Sequence, residues 1–327
     1  MAEPAVLISG AAGYVGRLLV GALAARRKDI SALVALDWSA VADANKLEDV
    51  IYEQGDICDP SLASMLRMHR IDTVVHLASI VRAPKNAPKT LAYKVDVLGT
   101  RNVLEACRAA QVRRIVVTSS GAAYGYYADN PEWLDEADPL RGNDAFEYAR
   151  NKRRVEMLLA QWRKDYPELH QVVFRPGTIV GASVHSPVTD LFERPVLLGV
   201  AGSASPFVFI WDEDLVACLV EAVLSNKVGV YNVAGDGALT PLTIAAMLRK
   251  PYVPIPASVL SAVLWVLKKL HLTESGPERV DFLRYRPVLS NRRLKQEFGY
   301  TPRLTSRAAF ELYARARGLM PAPADSR

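Results

Sequence analysis

The 327-residue sequence predicts a doubly wound α/β fold: a parallel sheet with helices on both faces, followed by a smaller, mainly C-terminal α/β subdomain on the substrate side. Three observations carry this prediction. Short β-branched runs alternate with longer helical patterns through the first half, and those runs are continuously apolar, as expected for strands buried on both faces. Three glycines, Gly10, Gly13 and Gly16, join the first such run to the first helical pattern.

In chain order, "AVLISG" is the first strand, a helix runs from about Tyr14 to Arg27, "ALVALD" is the second strand, and a third precedes "GDICD". "TVVHLAS" continues the sheet, a helix passes through "LGTRNVLEACRAAQ", and "RIVVTSS" adds another strand. "FEYARNKRRVEMLLAQWRKDY" has amphipathic helical spacing, and "QVVFRPG" is the strand after it. From about Thr178, Pro, Gly and Ser break the alternation, although "FVFIWDEDLVACLVEAVL" and "GVYNVAG" still spell strand, helix and strand. Residues 1–177 therefore form the expected nucleotide-binding domain, and 178–327 a substrate subdomain interleaved with it.

Half of the residues are hydrophobic, enough for one large core or a main domain with a smaller partner, and too many for a disordered chain. The net charge of +5 is spread along the chain rather than gathered into a tract, which argues against a nucleic-acid partner. Cys58, Cys107 and Cys218 stand singly, and the histidines lack acidic partners at ligand spacing, so neither a disulfide framework nor a metal site is expected and a reducing cytoplasm suits the chain. "MAEPAVLISG" lacks the basic start and long apolar core of a leader, and no stretch approaches the ~20 apolar residues of a membrane span.

A helix N-terminus opened by glycines offers backbone N–H groups to a pyrophosphate; the same triplet also serves a tight turn with no ligand. Support for a ligand comes from Asp37, which ends the second strand about 20 residues on, where a carboxylate accepts hydrogen bonds from ribose hydroxyls and repels a 2′-phosphate. Trp38 follows it in place of an arginine, which favours NAD over NADP. Asp56 and Ile57, after the third strand, are candidates to flank an adenine ring, with a surface turn as the alternative. Tyr148 and Lys152, four residues apart, share one helix face. A phenol is a poor base at neutral pH, but a neighbouring ammonium stabilises its phenolate and suits it to move the proton of a secondary alcohol. Ser120, at the carboxyl edge of a parallel strand, is placed to hydrogen-bond the reacting oxygen, while Ser119 is expected to satisfy local backbone.

Together, the glycine triplet at 10–16, Asp37, "HLAS" at 76–79, "TSSGAAYG" at 118–125 and the Tyr148/Lys152 pair resemble the extended short-chain dehydrogenase/reductase family, in its NAD-dependent epimerase/dehydratase branch. "FRPGTIVG", "FIWDEDLVACL" and "GVYNVAG" look like later landmarks of that branch, so the resemblance covers most of the chain. It implies a Rossmann domain, tightly held NAD, a homodimer and a Ser-Tyr-Lys set: Ser120 orients the substrate oxygen, Tyr148 is the acid/base, and Lys152 holds the nicotinamide ribose. The cofactor-binding set it implies is Gly10, Ala12, Gly13, Tyr14, Val15, Gly16, Asp37, Trp38, Asp56, Ile57, Leu77, Ala78, Ser79, Tyr148, Lys152 and Arg175. The implied activity is hydride transfer at a secondary alcohol or ketone carbon of a small molecule. A nucleotide-sugar epimerase or dehydratase heads the expectations. A net dehydrogenase or ketoreductase acting on a sugar or an apolar alcohol is the alternative, and a non-catalytic NAD sensor the remote one.

Four departures qualify the resemblance. Asp96 stands where the branch carries Asn, and an ionised carboxylate accepts hydrogen bonds but donates none. Gly121, Ala122 and Ala123 follow Ser120 where a dehydratase carries Thr-Asp-Glu. Phe207 lies near the place of an arginine that contacts the diphosphate in UDP-galactose 4-epimerases, which counts against a UDP-sugar unless Arg194, Arg279, Arg284 or Arg286 supplies charge from another loop. Finally, the apolar segment Val253 to Leu272 fits subdomain core, with an apolar substrate wall or a membrane-facing surface as the other readings. "TDLFERP" and Trp211 could line the pocket or pack; His76 suits a structural place in its turn, and His185 lies on a loop able to face substrate.

Overall fold

The computed structural model describes residues 3–82, 84, 86–270, 276 and 280–321. Eleven strands are found among them: β1 (Ala5–Ser9), β2 (Ala32–Asp37), β3 (Ile51–Gln54), β4 (Thr73–His76), β5 (Arg114–Thr118), β6 (His170–Pro176), β7 (Thr178–Val180), β8 (Leu197–Val200), β9 (Phe209–Trp211), β10 (Gly229–Val233) and β11 (Tyr252–Ile255). Seven of them form the central sheet in the order β10-β6-β5-β4-β1-β2-β3. Strand order reverses between β1 and β4; β1 pairs in parallel with both of its neighbours, Val6 standing opposite Leu33 on β2 and Thr73 on β4. The crevice outside the carboxyl ends of β1 and β4 is thus the switch point at which such sheets bind ligands. Every residue of β1 and β4 is buried, which explains why these strands are apolar without alternation.

The chain divides into two compact units. The first comprises Met1–Ala123, Asn151–Arg175 and Glu213–Tyr231; the second comprises Tyr124–Arg150, Pro176–Asp212 and Asn232–Arg327. In the first unit, Leu7, Val34, Val74, Ile115 and Val173 of the sheet meet Val103, Leu104, Val155 and Leu159 of the helices in one core. The Tyr14–Ala24 helix stops short of the expected Arg27, because its last turn tightens: the Arg26 N–H bonds the Leu23 carbonyl three residues back, and a 3-10 turn follows at Arg27–Asp29. The helix expected through 98–111 begins earlier, at Leu91, and passes through a π-helical stretch, Lys94–Gly99, before Thr100–Ala109. A π turn has no hydropathy signature, so the sequence pattern misses it.

In the second unit, Phe192, Phe207, Phe209, Phe310 and Tyr313 make an aromatic core, with Phe192 and Phe310 ring centroids 5.2 Å apart. The Ser306–Ala316 helix enters it behind Thr305, whose hydroxyl caps the Ala308 N–H at 3.1 Å. The "TDLFERP" phenylalanine and Trp211 are both buried, as packing. The apolar segment behaves differently from core: β11 pairs with β8 in a separate two-stranded sheet, and the helix that follows, Ala257–Lys269, contains no buried residue. Leu272 lies outside the described residues. Among the described residues no helix is long and apolar enough to cross a membrane.

A buried ion pair ties the sheet of the first unit to its longest helix. Arg175 on β6 makes a bidentate pair with Glu156 of the Glu147–Asp165 helix, Nε to Oε1 at 2.8 Å and Nη2 to Oε2 at 2.9 Å, with both side chains buried. Two charges that have left water together hold only while both are present. Replacing Glu156 with Ala is expected to lower stability by about 3–5 kcal/mol, measured by denaturant unfolding, because it strands a buried guanidinium. A loss below about 1 kcal/mol would contradict that account.

Candidate active site

The glycine loop is built by backbone approaching backbone. Gly10 has φ +77°, a left-handed conformation that side chains resist, and a Cβ there would stand 2.6 Å from the Ala78 nitrogen. A Cβ on Gly16 would stand 2.1 Å from the Gly10 carbonyl oxygen, so the first helix packs against the turn at a distance only glycine permits. The helix N-cap is Gly13, no side chain caps the first turn and no acidic residue lies in it. The first N–H groups of a helix lack intrahelical acceptors by position, an arrangement that suits an anion. Asp37 closes the loop from β2: its Oδ2 accepts from the Ala12 N–H at 2.9 Å and its Oδ1 from the Ser39 N–H at 3.0 Å. Each carboxylate oxygen keeps a further lone pair for a ribose hydroxyl. Trp38 beside it is 79% exposed, leaving an open flank. The donor set and the clearance fit a dinucleotide.

The other expected cofactor residues fall around the same switch point. The Leu77 N–H donates to the Ser9 carbonyl at 3.0 Å, which draws the Leu77–Ser79 turn against the end of β1. Asp56 Oδ1 caps the Cys58 N–H at 2.8 Å and Ile57 is buried, packed so close that a Cβ on Gly99 would lie 2.6 Å from its Cδ1. Arg175 is the exception: its guanidinium is committed to Glu156 in the sheet–helix interior.

Behind the switch point lies a buried polar chain. Thr100 Oγ1 donates to the Asp96 carbonyl at 2.5 Å, so toward His76 Nε2, 3.0 Å away, it can only accept. His76 therefore carries its proton on Nε2, and Nδ1 accepts from Ser9 Oγ at 2.7 Å. Burial, reinforced by the Lys152 cation, pulls the His76 pKa down to about 3, so the ring stays neutral. Asp96 Oδ1 accepts from the Ile80 N–H at 2.9 Å, while Oδ2 has no partner among the described residues. His76, Asp96, Thr100, Thr118 and Lys152 line one small cavity.

Of the catalytic candidates, Ser120 Oγ accepts from the Ala122 N–H at 3.1 Å and remains partly accessible. Ser119 differs from expectation. Its N–H bonds the Phe174 carbonyl at 2.7 Å, but its hydroxyl is buried with no hydrogen-bond partner among the described residues. Tyr148 and Lys152 lie one turn apart on the Glu147–Asp165 helix, Tyr148 half-buried and Lys152 buried. In the second unit Tyr148 belongs to an aromatic group: Phe146 packs on it at 6.3 Å and on Phe282 at 5.0 Å, and Phe282 packs on Tyr126 at 4.7 Å.

Arg286 completes that group. Its guanidinium carbon lies 4.0 Å from the centroid of the Phe207 ring and 4.8 Å from that of Phe282. Phe207 is fixed by reciprocal 2.8 Å backbone hydrogen bonds with Leu239. Arg286 has no carboxylate partner among the described residues, and the packing around it pulls its pKa down to about 10, so it stays cationic at neutral pH. A cation thus covers the residue whose position lacks one in the sequence. No local pattern could have singled out Arg286 among its neighbours, because the contact joins distant loops. The other arginines are differently placed: Arg194 is exposed, Arg284 is 3.9 Å from Asp281, and Arg279 lies outside the described residues. His185 accepts from Arg317, 3.3 Å away, which also binds Glu193 at 2.7 Å.

Two measurements test this geometry. Gly16→Ala is expected to weaken NAD binding by at least about tenfold in calorimetric titration, since either the helix or the Gly10 carbonyl must move. Unchanged affinity would contradict the close approach. For His76 the folded pKa lies below the unfolded value of 6.5, so its contribution is full above 6.5 and is lost as pH falls toward 3. His76→Asn keeps a donor and an acceptor but binds no proton. Its unfolding free energy should fall less steeply over that window, by about 1.4 kcal/mol per pH unit. Parallel slopes for the two proteins would contradict a buried neutral ring.

Comparison with known proteins agrees with the geometry. Residues 6–234 match the model of the NAD dependent epimerase/dehydratase family. An uncharacterized protein of Mycobacterium tuberculosis is 26% identical over 323 residues, covering 97% of this chain and 85% of its own. The UDP-glucose 4-epimerase of Erwinia amylovora is 32% identical over 184 residues, 54% of each chain. Among solved structures, the UDP-glucose 4-epimerase of Thermus thermophilus in complex with NAD superposes with a TM-score of 0.71 at 24% identity, covering 96% of this chain and 99% of that one. With its doubly wound sheet, its glycine loop and a family match over more than half its length, the chain belongs to the NAD dependent epimerase/dehydratase family of NAD-dependent enzymes.

Proposed function

We propose that the protein is a nucleotide-sugar epimerase that inverts one secondary alcohol carbon of a sugar carried on a nucleoside diphosphate. The observation that carries this proposal is Arg286, a cation without a carboxylate partner among the described residues, stacked on Phe207 and joined through Phe282 and Phe146 to the Tyr148 group. A guanidinium left unpaired over an aromatic shelf suits a diphosphate, which it can hold through paired N–H donors. The UDP-glucose 4-epimerases among the relatives support the same substrate class.

Gly10, Ala12, Gly13, Tyr14, Val15 and Gly16 hold the pyrophosphate, Asp37 takes the adenosine ribose, and Asp56, Ile57, Leu77, Ala78 and Ser79 line the rest of the cofactor's path. Bound NAD supplies the acceptor, and later the donor, of the hydride. Tyr148 removes the proton of the sugar hydroxyl and returns it to the ketone oxygen after the sugar has turned over. Ser120 Oγ donates a hydrogen bond to that oxygen, and Lys152 positions the nicotinamide ribose and keeps positive charge near the phenol. Hydride and proton both come back to the same molecule, so the reaction has no net redox change. The enzyme works as a homodimer in the cytoplasm, a reducing compartment that suits three free cysteines.

The test is turnover of purified holoenzyme on UDP-glucose and UDP-galactose, read by sugar chromatography and by the absorbance of reduced nicotinamide. Epimer should form without accumulating NADH. Tyr148→Phe should retain NAD and lose at least about a hundredfold in kcat. Arg286→Ala should raise KM on the order of ten- to a hundredfold with a much smaller change in kcat, and Arg286→Lys should restore part of it. Stoichiometric NADH formation with a simple alcohol, and silence toward nucleotide sugars, would contradict the epimerase.

A further inference from the structure

The loop 201–206, which joins β8 to β9, holds one residue in a conformation that side chains resist. Ser205 has φ +37°, in the left-handed region, although Pro206 after it biases the preceding residue toward extended backbone. Such a conformation persists only where the surrounding structure over-determines it. Here the chain is fixed on both sides. Before Ser205, the Ser203 N–H bonds the Val200 carbonyl at 3.1 Å and Ser203 Oγ donates to the Arg284 carbonyl. After it, Phe207 is held by its reciprocal bonds with Leu239.

The same residue buries a hydroxyl without satisfying it. Ser205 is 4% exposed, and its Oγ has no hydrogen-bond partner among the described residues. Two contacts set its neighbourhood. Ser203, two residues before, bonds the Arg284 backbone, and Phe207, two residues after, lies 4.0 Å from the Arg286 guanidinium carbon. Ser205 therefore stands between two attachments to the 284–286 segment. The Nε–H groups of Arg284 and Arg286 are buried and also lack a partner among the described residues. Guanidinium N–H groups can only donate, so this corner holds donors in want of an acceptor. Residues 194–211 and 282–290 contain no Asp or Glu, and the Asp281 carboxylate stands 3.9 Å from Arg284 Nη1.

We infer that Ser205 is a binding residue for the substrate's diphosphate, its Oγ donating to a phosphate oxygen beside the Arg286 guanidinium. A diphosphate brings several acceptor oxygens to a corner that has donors alone, and a hydroxyl bonded to a charged oxygen makes a short, strong hydrogen bond. The strained backbone then has a use: it keeps the hydroxyl in the buried corner. The inference rests on the nucleotide-sugar reading and deepens it, since it names a second contact to the group that Arg286 holds.

The experiment is calorimetric titration of the holoenzyme with UDP and, separately, with inorganic pyrophosphate, for the parent, Ser205→Ala and Ser205→Gly. Alanine keeps the backbone strain and removes the hydroxyl; glycine removes both. Each variant is expected to bind either ligand about tenfold more weakly, with NAD content and near-UV circular dichroism unchanged. KM for UDP-glucose should rise by a similar factor with little change in kcat. A serine that served the turn alone would be replaced by glycine without loss. Parent and Ser205→Gly binding UDP equally well would therefore overturn the inference and leave the nucleotide-sugar reading standing. Pyrophosphate bound in a Ser205-dependent way, with no binding of UDP, would support the anion contact and sink the nucleotide. A parent that binds neither ligand would overturn both.

Discussion

Between Gly16 and the Gly10 carbonyl there is no room for a methyl group, since a Cβ would come within 2.1 Å of the oxygen. That contact sets how closely the first helix approaches the end of β1, and therefore where its N-terminal N–H groups point. The ends of the neighbouring strands adjust to the same loop. Asp37 at the end of β2 bonds the Ala12 N–H, and the turn after β4 packs its Ala78 nitrogen where a Gly10 side chain would be. The shape of the loop at the switch point follows from close backbone packing, and a substitution need not touch a ligand to disturb it.

Farther inside, the polar interior of the first unit is arranged around a histidine held neutral by its burial. His76 links Ser9 on β1 to Thr100 on the Thr100–Ala109 helix, and the direction of each hydrogen bond follows from the Thr100 hydroxyl being committed to the Asp96 carbonyl. The π-helical stretch carries Asp96, in the position where the sequence departs from the family pattern. One of its oxygens is satisfied by Ile80; Asp96 also lines the cavity that Lys152 lines. A carboxylate there gives the neighbourhood of the buried lysine an acidic member that asparagine would not.

Most of the sheet and the glycine loop were legible in the sequence because both are written over short distances. A buried parallel strand is a continuous apolar run, and a close turn needs its glycines at fixed offsets; Tyr148 and Lys152 are legible for the same reason, as helix spacing. Contacts between distant loops leave no such trace. Phe207 read as a missing cation, yet Arg286 comes to lie over its ring by packing. Arg175 read as a cofactor contact, yet it is paired with Glu156 inside the sheet–helix core. The Ala257–Lys269 helix is the hardest case: a broad apolar face predicts burial, and whether a neighbouring element arrives to provide it is a property of the whole chain.

The central functional claim is that hydride leaves and returns to the same sugar. It is tested most directly by incubating the holoenzyme with a mixture of two UDP-sugar populations. One carries deuterium at the reacting carbon and the other carries a distinguishing heavy label elsewhere, and both are followed into product by mass spectrometry. The account predicts epimerised product in which the deuterium remains in the molecules that brought it. Deuterium lost to reduced nicotinamide in solution, with ketone released, would contradict it and make the protein a dehydrogenase.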